Sequence, residues 1–447
     1  MAKKNEQEEE QLWQTVPPVE FSVVIGNREQ QQALEILARQ APGYSVAGGQ
    51  IAHALSVRAN HILMDFTQAF VAMRYQIDGN WEQLPNLPRD AGDAMLYSLK
   101  QVCGLNPADR RSAQQGKCAT KVKKAKYFIT VQSQGTANGE RVLVRLEPEK
   151  TPFETLTDLG MRDRMKEQYK QALDSTGGMV LVSAPKGTGL TTSWQVTLEA
   201  ADRLMRDFQS VEHDARREPE TINVSSNYYG AADGPSAAEL IRSMILKEPD
   251  VFVLPEIPDG DSLATILKQV TANDKHLITR TVAGDAVEAI VSLIAKYSNS
   301  AKEIASSVTA VLNQRLARRL CENCRQPFQP TPQLLQQLGI PQGRVAVLYQ
   351  PFVPPPIEQQ VDEKGNPAPI TPCHVCGGRS YLGRVGIFEL LQPGPKFRAA
   401  LLKTRDVNKL RQVARAEGHR GLQSEAILTV ARGITSLEEL KRVFASK

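Results

Sequence analysis

Long apolar runs are missing from this 447-residue chain. No stretch approaches the roughly 18 residues that a membrane-spanning helix requires. The N-terminal MAKKNEQEEEQ has no apolar centre of the kind a secretory signal carries, so the expected compartment is the cytoplasm. A strong charge of either sign is also absent: a net charge of +5 over this length points to no particular partner. Locally the balance shifts, because seven Lys or Arg and no acidic residue fall between Arg110 and Lys126. Such a run forms a solvated face or a site for phosphate or lipid headgroups. Length and an ordinary apolar-to-charged ratio suggest a globular protein of two or three domains.

Cysteine is scarce too, with six in all, yet four of them form two pairs, Cys321-x-x-Cys324 and Cys373-x-x-Cys376. Two such knuckles bring four thiolates to tetrahedral spacing around one zinc. With all four positions filled by Cys no place remains for a water ligand, so the site is expected to be structural. A redox dithiol or unconnected surface cysteines are the alternatives. Gly377 and Gly378 follow the second pair and would let backbone N–H groups approach the thiolates, while Cys103 and Cys118 read as ordinary residues.

Residues 1–43 read as a polar tail that continues into an ill-defined element. A domain of mixed helices and strands follows over 44–150: a helix at IAHALSVRA, strands at HILMDF and FVAMRYQIDGNW with an Asp-Gly turn, a helix through AMLYSLKQVCGL, and strands at YFITVQSQ and ERVLVRLE. From 151 to 320 short apolar strands (MVLVS, FQSVEHD, DVFVLPEI, KHLITRTV) alternate with helices, one of them running from Thr191 to about Arg206. That alternation implies parallel strand–helix–strand units buried on both faces, with ligands at the strand C-termini. A zinc element with an exposed Pro-rich loop (321–390) and a helical C-terminal subdomain (391–447) complete the chain.

Residues 184–191, APKGTGLT, follow MVLVS where a phosphate loop G-x-x-x-x-G-K-[ST] would lie. Such a loop works through successive backbone N–H groups and a helix N-terminus aimed at the anion. Gly187 and Gly189 permit that path around Thr188, and Thr191, with Thr192 beside it, can offer a hydroxyl to Mg²⁺. Leu190, however, stands where the lysine belongs. A charge-assisted hydrogen bond is worth roughly 1.5–3 kcal/mol, so its loss weakens nucleotide binding about 10- to 150-fold. Hydrolysis should suffer more, because that charge offsets charge on the transferring phosphoryl group. Lys186 lies in the same loop and can reach the phosphates from the other side. A plain strand–turn–helix without ligand remains the alternative for the loop alone. Glu256, at the end of DVFVLPE, is the candidate catalytic base, and Glu212, at the end of FQSVE, a second acid; a solvated strand end is the alternative for either, and for Glu212 an equal one. His276, before the last strand, reads as a structural histidine.

Taken together these residues resemble the secretion ATPase family that drives type II secretion and assembles type IV pili. The likeness spans about 44–447: YQIDG with its Trp, LNPADRR and GERVLVRLE track the domain next to the motor, GMVLVSAPKGTGLTTS the phosphate loop, and KEPDVFVLPEIPD the Walker B segment DPDIIMIGEIRD. CENC with CHVCGGRSYLGRVGIFELL matches the tetracysteine zinc element, and ARGITSLEELKRV the family's ending. The resemblance implies a RecA-like nucleotide-binding domain and a hexameric cytoplasmic ring, peripheral at the inner membrane. ATP would bind between the N-terminal and RecA-like domains, and domain rotation would pass to an inner-membrane platform protein. By position Glu256 is the Walker B glutamate, Glu212 the acid of the Asp box, and Arg74, Arg110 and Arg111 basic positions that can face the nucleotide; Lys117 replaces an arginine there.

Departures concentrate on chemical positions. Beyond Leu190, His213 takes the Asp-box aspartate with Asp214 adjacent, and Pro255 and Pro258 replace a Gly and an Arg. The His box STLHTNDA has shrunk to RTVAGDA, and HILMDF departs from SDIHIEP. Two readings follow: a working, slow ATPase motor that uses Lys186 and Glu256, or a non-hydrolysing member that holds a ring or platform together. The ring would be homomeric or mixed with an active homologue. A zinc-dependent nucleic-acid binder ranks last, because the basic run lacks interleaved aromatics.

Overall fold

The computed structural model describes residues 12–356, 360 and 370–445. The chain divides into two compact units, Met1–Pro152 and Phe153–Lys447.

In the first unit, β1 (Phe21–Val23), α1 (Arg28–Gln40), α2 (Tyr44–Ser56), β2 (Ala59–Phe66), β3 (Phe70–Ile77), β4 (Asn80–Gln83) and β5 (Leu87–Pro88) lead to α3 (Arg89–Val102). The strands β6 (Gln114–Val122), β7 (Ala125–Thr136) and β8 (Gly139–Pro148) follow, giving an antiparallel sheet of order β1-β6-β7-β8-β2-β3-β4 with β5 on β3. Alternation along β2 and β3 buries Ile62, Met64, Met73 and Tyr75 against Ile51, Met95 and Leu99 of the helices. Asp78 and Gly79, at φ 50° and 90°, make the β3–β4 turn, whose twist suits a two-residue hairpin. Part of the expected polar tail is ordered: β1 pairs with β6 (Ser22 opposite Ala119), Phe21 is buried, and α1 begins on an Asn27/Gln30 capping box. The basic run is also partly a strand, β6.

The second unit opens with α4 (Asp163–Leu173), β9 (Gly178–Ala184), α5 (Leu190–Ala200), β10 (Phe208–His213), β11 (Val224–Tyr229), α6 (Ala237–Ile245) and β12 (Val251–Leu254). It continues with α7 (Gly260–Ala272), β13 (His276–Val282), α8 (Ala286–Lys296), α9 (Ala301–Ser307), β14 (Val308–Leu320), β15 (Gln326–Phe328), α10 (Pro332–Gln337), β16 (Leu348–Gln350) and β17 (Tyr381–Leu391). Four helices close it: α11 (Pro395–Lys403), α12 (Val407–Ala416), α13 (Leu422–Ala431) and α14 (Leu437–Phe444). The main sheet has order β11-β10-β12-β13-β9-β14-β17 and is parallel except for β17, which runs antiparallel to β14. Along β9, Met179 and Leu181 join the core beneath α7 and α8, whereas Val180 and Val182 join the core containing Tyr169 and Trp194 of α4 and α5. Burial on both faces explains the unbroken apolar run.

In the second unit four elements differ from the sequence reading. The polar β11 lies in what read as a loop; as an edge strand it pairs only with β10 and needs no apolar face. β14 and β17, to which no strand had been assigned, complete the sheet. The helix expected to reach Arg206 stops at Ala200, where Ala201 turns extended and the Asp174 carboxylate accepts from the Asp202 N–H. The centre of the Pro-rich loop, 357–359 and 361–369, lies outside the described residues, as do 1–11 of the tail.

Candidate nucleotide cleft and metal centre

Because β9, β10, β12 and β13 run parallel, their C-terminal ends share one edge, and loop 185–189 lies there ahead of α5. The loop keeps a phosphate-loop path: Gly187 and Gly189 have φ of 74° and 90°, which side-chain-bearing residues rarely adopt. Both the N–H and the hydroxyl of Thr188 donate to Pro185 O, at 3.2 and 2.7 Å. Gln314 of β14 staples the turn, donating to Thr188 O at 2.9 Å while its oxygen accepts from Ser193 Oγ at 2.5 Å. Lys186 is exposed and makes no ion pair among the described residues. Thr191 is exposed, Thr192 half-buried, and Leu190 packs partly against the apolar core.

A cleft of about 320 Å³ opens beside the loop, lined by Leu190, Glu212, Arg216, Glu218, Glu256 and Arg280 among others. Glu256 stands exposed between β12 and α7. Its flanks are fixed, since Pro255 O accepts from Arg280 Nε, Ile257 O from Tyr297 Oη, and Asp259 caps α7. The Glu256 oxygens lie 2.9 and 3.1 Å from Arg216 Nη1, in a pair more than half exposed. Glu212 is different: it is buried, one oxygen accepting from Ser210 and Ser226 and the other from the Glu218 N–H. Its carboxylate knits β10 to β11 and the following loop.

Arg216, Glu218 and Arg280 were not singled out in the sequence. Arg280 forks onto Glu218 at 2.5 and 3.0 Å, with its guanidinium 5.2 Å from the Trp194 ring centre. An arginine inside a buried parallel strand, HLITRTV, was the available signal, since a mostly buried cation requires an acid. His276 begins that strand. It is fully buried, and burial together with nearby Arg206 lowers its pKa to about 4 against the opposing Gly177 backbone.

The N-terminal arginines belong to the first unit. Arg74 lies 2.5 Å from Asp65, which also binds Arg141. Arg110 bridges Asp93 (2.7 Å) and Glu140 (2.9 Å) over the Phe66 ring, and Lys100 binds the other Glu140 oxygen at 2.6 Å. Burial opposes ionisation of Asp93, but Arg89 and Arg110 outweigh it and hold its carboxyl below the ordinary range. Both arginines are thus engaged within their own unit. Arg111 is exposed, and its side chain makes no ion pair among the described residues.

The four cysteines converge. Sγ atoms of Cys321, Cys324, Cys373 and Cys376 all lie within 4.8 Å of one another, with Cys321–Cys373 at 3.9 Å and Cys324–Cys376 at 3.7 Å. A zinc tetrahedron with bonds of about 2.3 Å has S···S edges of about 3.8 Å, so the cluster is compatible with zinc. The Asn323 side chain and the Ser380 N–H donate to Cys373 and Cys376 sulfurs. Gly377 and Gly378 instead donate to Cys373 O, so their contribution is the turn (φ 63° and 81°) rather than thiolate contacts. Cys321 follows β14 directly and Cys376 lies just before β17, so the cluster ties the open end of this antiparallel pair.

A model of the type II/IV secretion system protein family matches residues 39–442. The chain belongs to this family. Relatives include the type IV pilus assembly ATPase PilB of Pseudomonas aeruginosa, 26% identical over 375 residues covering 83% of this chain and 62% of that protein. The type II secretion system protein E of Xanthomonas campestris is 24% identical over 416 residues, 92% of this chain and 69% of that protein. Against the PilB of Thermus thermophilus the secretion-family chain spans only 41% of the relative's length. Among solved structures, the Legionella pneumophila ATPase DotB shares the fold, with a TM-score of 0.55, 13% identity and coverage of 89% and 94% of the two chains.

Proposed function

We propose that this family member is a nucleotide-binding ring subunit of a type II secretion or type IV pilus assembly machine. It would work in the cytoplasm against an inner-membrane platform protein, as part of a hexamer that is homomeric or mixed with an active homologue. The observation that carries this reading is the retained loop geometry, with an exposed Glu256 on the same edge of the sheet. Loop N–H groups and Lys186 would hold the ATP phosphates, and the Thr191 hydroxyl would ligate Mg²⁺, which supplies charge neutralisation there. Glu256 would accept the proton of an attacking water once freed from Arg216. Glu212 serves as scaffold on this reading, and Arg111, whose side chain makes no ion pair among the described residues, is the basic candidate of the first unit. The four cysteines would hold one structural Zn²⁺, closing the β14–β17 end.

A second reading, a non-hydrolysing ring subunit, draws on Leu190 and on the Glu218–Arg280 pair, which leaves the cleft's second arginine committed. Calorimetry of the protein with ATP and Mg²⁺ beside Lys186→Ala, with turnover measured for Glu256→Gln, separates the two. Binding lost with Lys186 and turnover lost with Glu256 support the motor. Binding without turnover supports the second reading, and no binding at millimolar ATP sinks nucleotide use altogether.

A further inference from the structure

Away from the cleft, a cavity of about 330 Å³ lies between the start of α4, the end of β17, the first turn of α11 and the turn joining α12 to α13. Its charges do not balance. Of its two carboxylates, Glu425 is held bidentate by Arg162 at 2.6 and 2.8 Å. The oxygens of Glu417 accept the N–H groups of Lys396 and Phe397, capping α11. A Cβ on Gly394 would fall 2.5 Å from Glu417 Oε1, so this acid is seated against backbone. Both acids are therefore engaged.

The cations are not. Arg164 and Arg420 line the cavity, are exposed, and make no side-chain hydrogen bond or ion pair among the described residues. His419, between Glu417 and Arg420, has a side chain only 8% exposed; its Nε2 lies 3.4 Å from Glu389, and its Nδ1 has no partner. Glu389 in turn accepts the N–H groups of Ala286 and Leu422. The α4 N-terminus, whose N-cap is Arg162, has no side-chain cap and adds a partial positive charge at the same wall. Below this rim Met165, Leu391 and Phe397 are buried and expose almost no surface, so the accessible lining is mostly polar and includes Gln168 and Gln392.

We propose that this cavity binds a small phosphate monoester, its phosphate between Arg164 and Arg420 and its organic part in the remaining volume beside Gln168 and Gln392. Planar guanidinium forks match phosphate oxygens, and two of them lining one cavity favour a dianion over a single carboxylate. The volume falls in the range of small-ligand sites and exceeds what a free phosphate ion fills. Bound there, the ligand would tie α4, which leads into β9 and the phosphate loop, to the C-terminal helices.

The test is calorimetric titration of the full chain with glycerol 3-phosphate and with inorganic phosphate, repeated on Arg164→Gln, Arg420→Gln and, as a control, Lys186→Ala. Neither arginine holds a partner, so both variants should keep the parent melting temperature. The expected result is saturable ester binding, about tenfold tighter than inorganic phosphate, weakened about tenfold or more by either arginine change and untouched by Lys186→Ala. Equal binding of the two ligands, indifference to both arginines, or no saturation in the millimolar range would overturn it. Binding lost with Lys186 but not with the arginines would place the ester on the nucleotide loop, which ends this inference and leaves the proposed function standing.

Discussion

The second unit carries two chemical centres that differ in completeness. In the cysteine cluster all four ligands are present, point at one another and lie at separations a zinc tetrahedron would set. In the cleft the scaffold is intact, from the glycine path of the loop to the Gln314 staple, but its charges are spent on each other: Arg216 on Glu256, Arg280 on Glu218. A four-cysteine zinc site would need only its thiolates in place. A nucleotide cleft also needs uncommitted charge, and here Lys186 makes no ion pair among the described residues while position 190 holds a leucine.

Removing metal should give the largest effect. Structural zinc contributes an apparent binding free energy of about 10–16 kcal/mol, so Cys321→Ser or a strong chelator should release one zinc per chain and lower the melting temperature sharply. Loss of zinc with an unchanged melting curve would mean that the cluster is ornamental to the fold. At the cleft, Glu218→Ala leaves Arg280 with Pro255 O and Trp194. Losing one partner of a buried pair costs about 3–5 kcal/mol, and the partial exposure of both side chains (19% and 16%) places this case at the lower end. A melting temperature equal to the parent's would show the pair to be dispensable.

Acid should strike the sheet that carries the cleft through His276. Its folded pKa of about 4 lies below the ordinary 6.5, so between these values the unfolded chain binds the extra proton and stability rises with pH. Folding free energy should therefore fall by up to roughly 3 kcal/mol as pH drops from about 6.5 to 4. His276→Leu should flatten that slope in denaturant melts; an equally steep profile would assign the loss to other groups. The smallest expected effect sharpens the comparison most. Leu190→Lys should tighten ATP binding about 10- to 150-fold, and calorimetry showing no change would mean that the loop no longer addresses phosphate.

Much of this was legible in the chain itself. MVLVS, VFVL and HLIT read as doubly buried strands because no polar residue interrupts them, and the two CxxC pairs read as one site because spacing alone defines a knuckle. β11 escaped notice because VSSNYY is polar, and an edge strand is stabilised by pairing to its single neighbour rather than by burial. β17 lies about 60 residues beyond β14, and nothing in local pattern announces an antiparallel partner at that distance. The cleft was half legible: its loop and Glu256 were found, whereas the sequestration of Glu212 and the pairing of Arg280 with Glu218 were not.

What the sequence determined by itself was local and periodic: strand burial, the glycines that allow positive φ, and the four thiolates at fixed spacing. Tertiary structure decided which charges are free. Glu218 and Arg280, Arg162 and Glu425, and Arg110 and Glu140 are brought within 3 Å although 62, 263 and 30 residues separate them along the chain. Coulomb attraction falls with distance in space, not along the chain, so only the folded arrangement leaves Lys186, Arg164 and Arg420 without an acidic partner among the described residues.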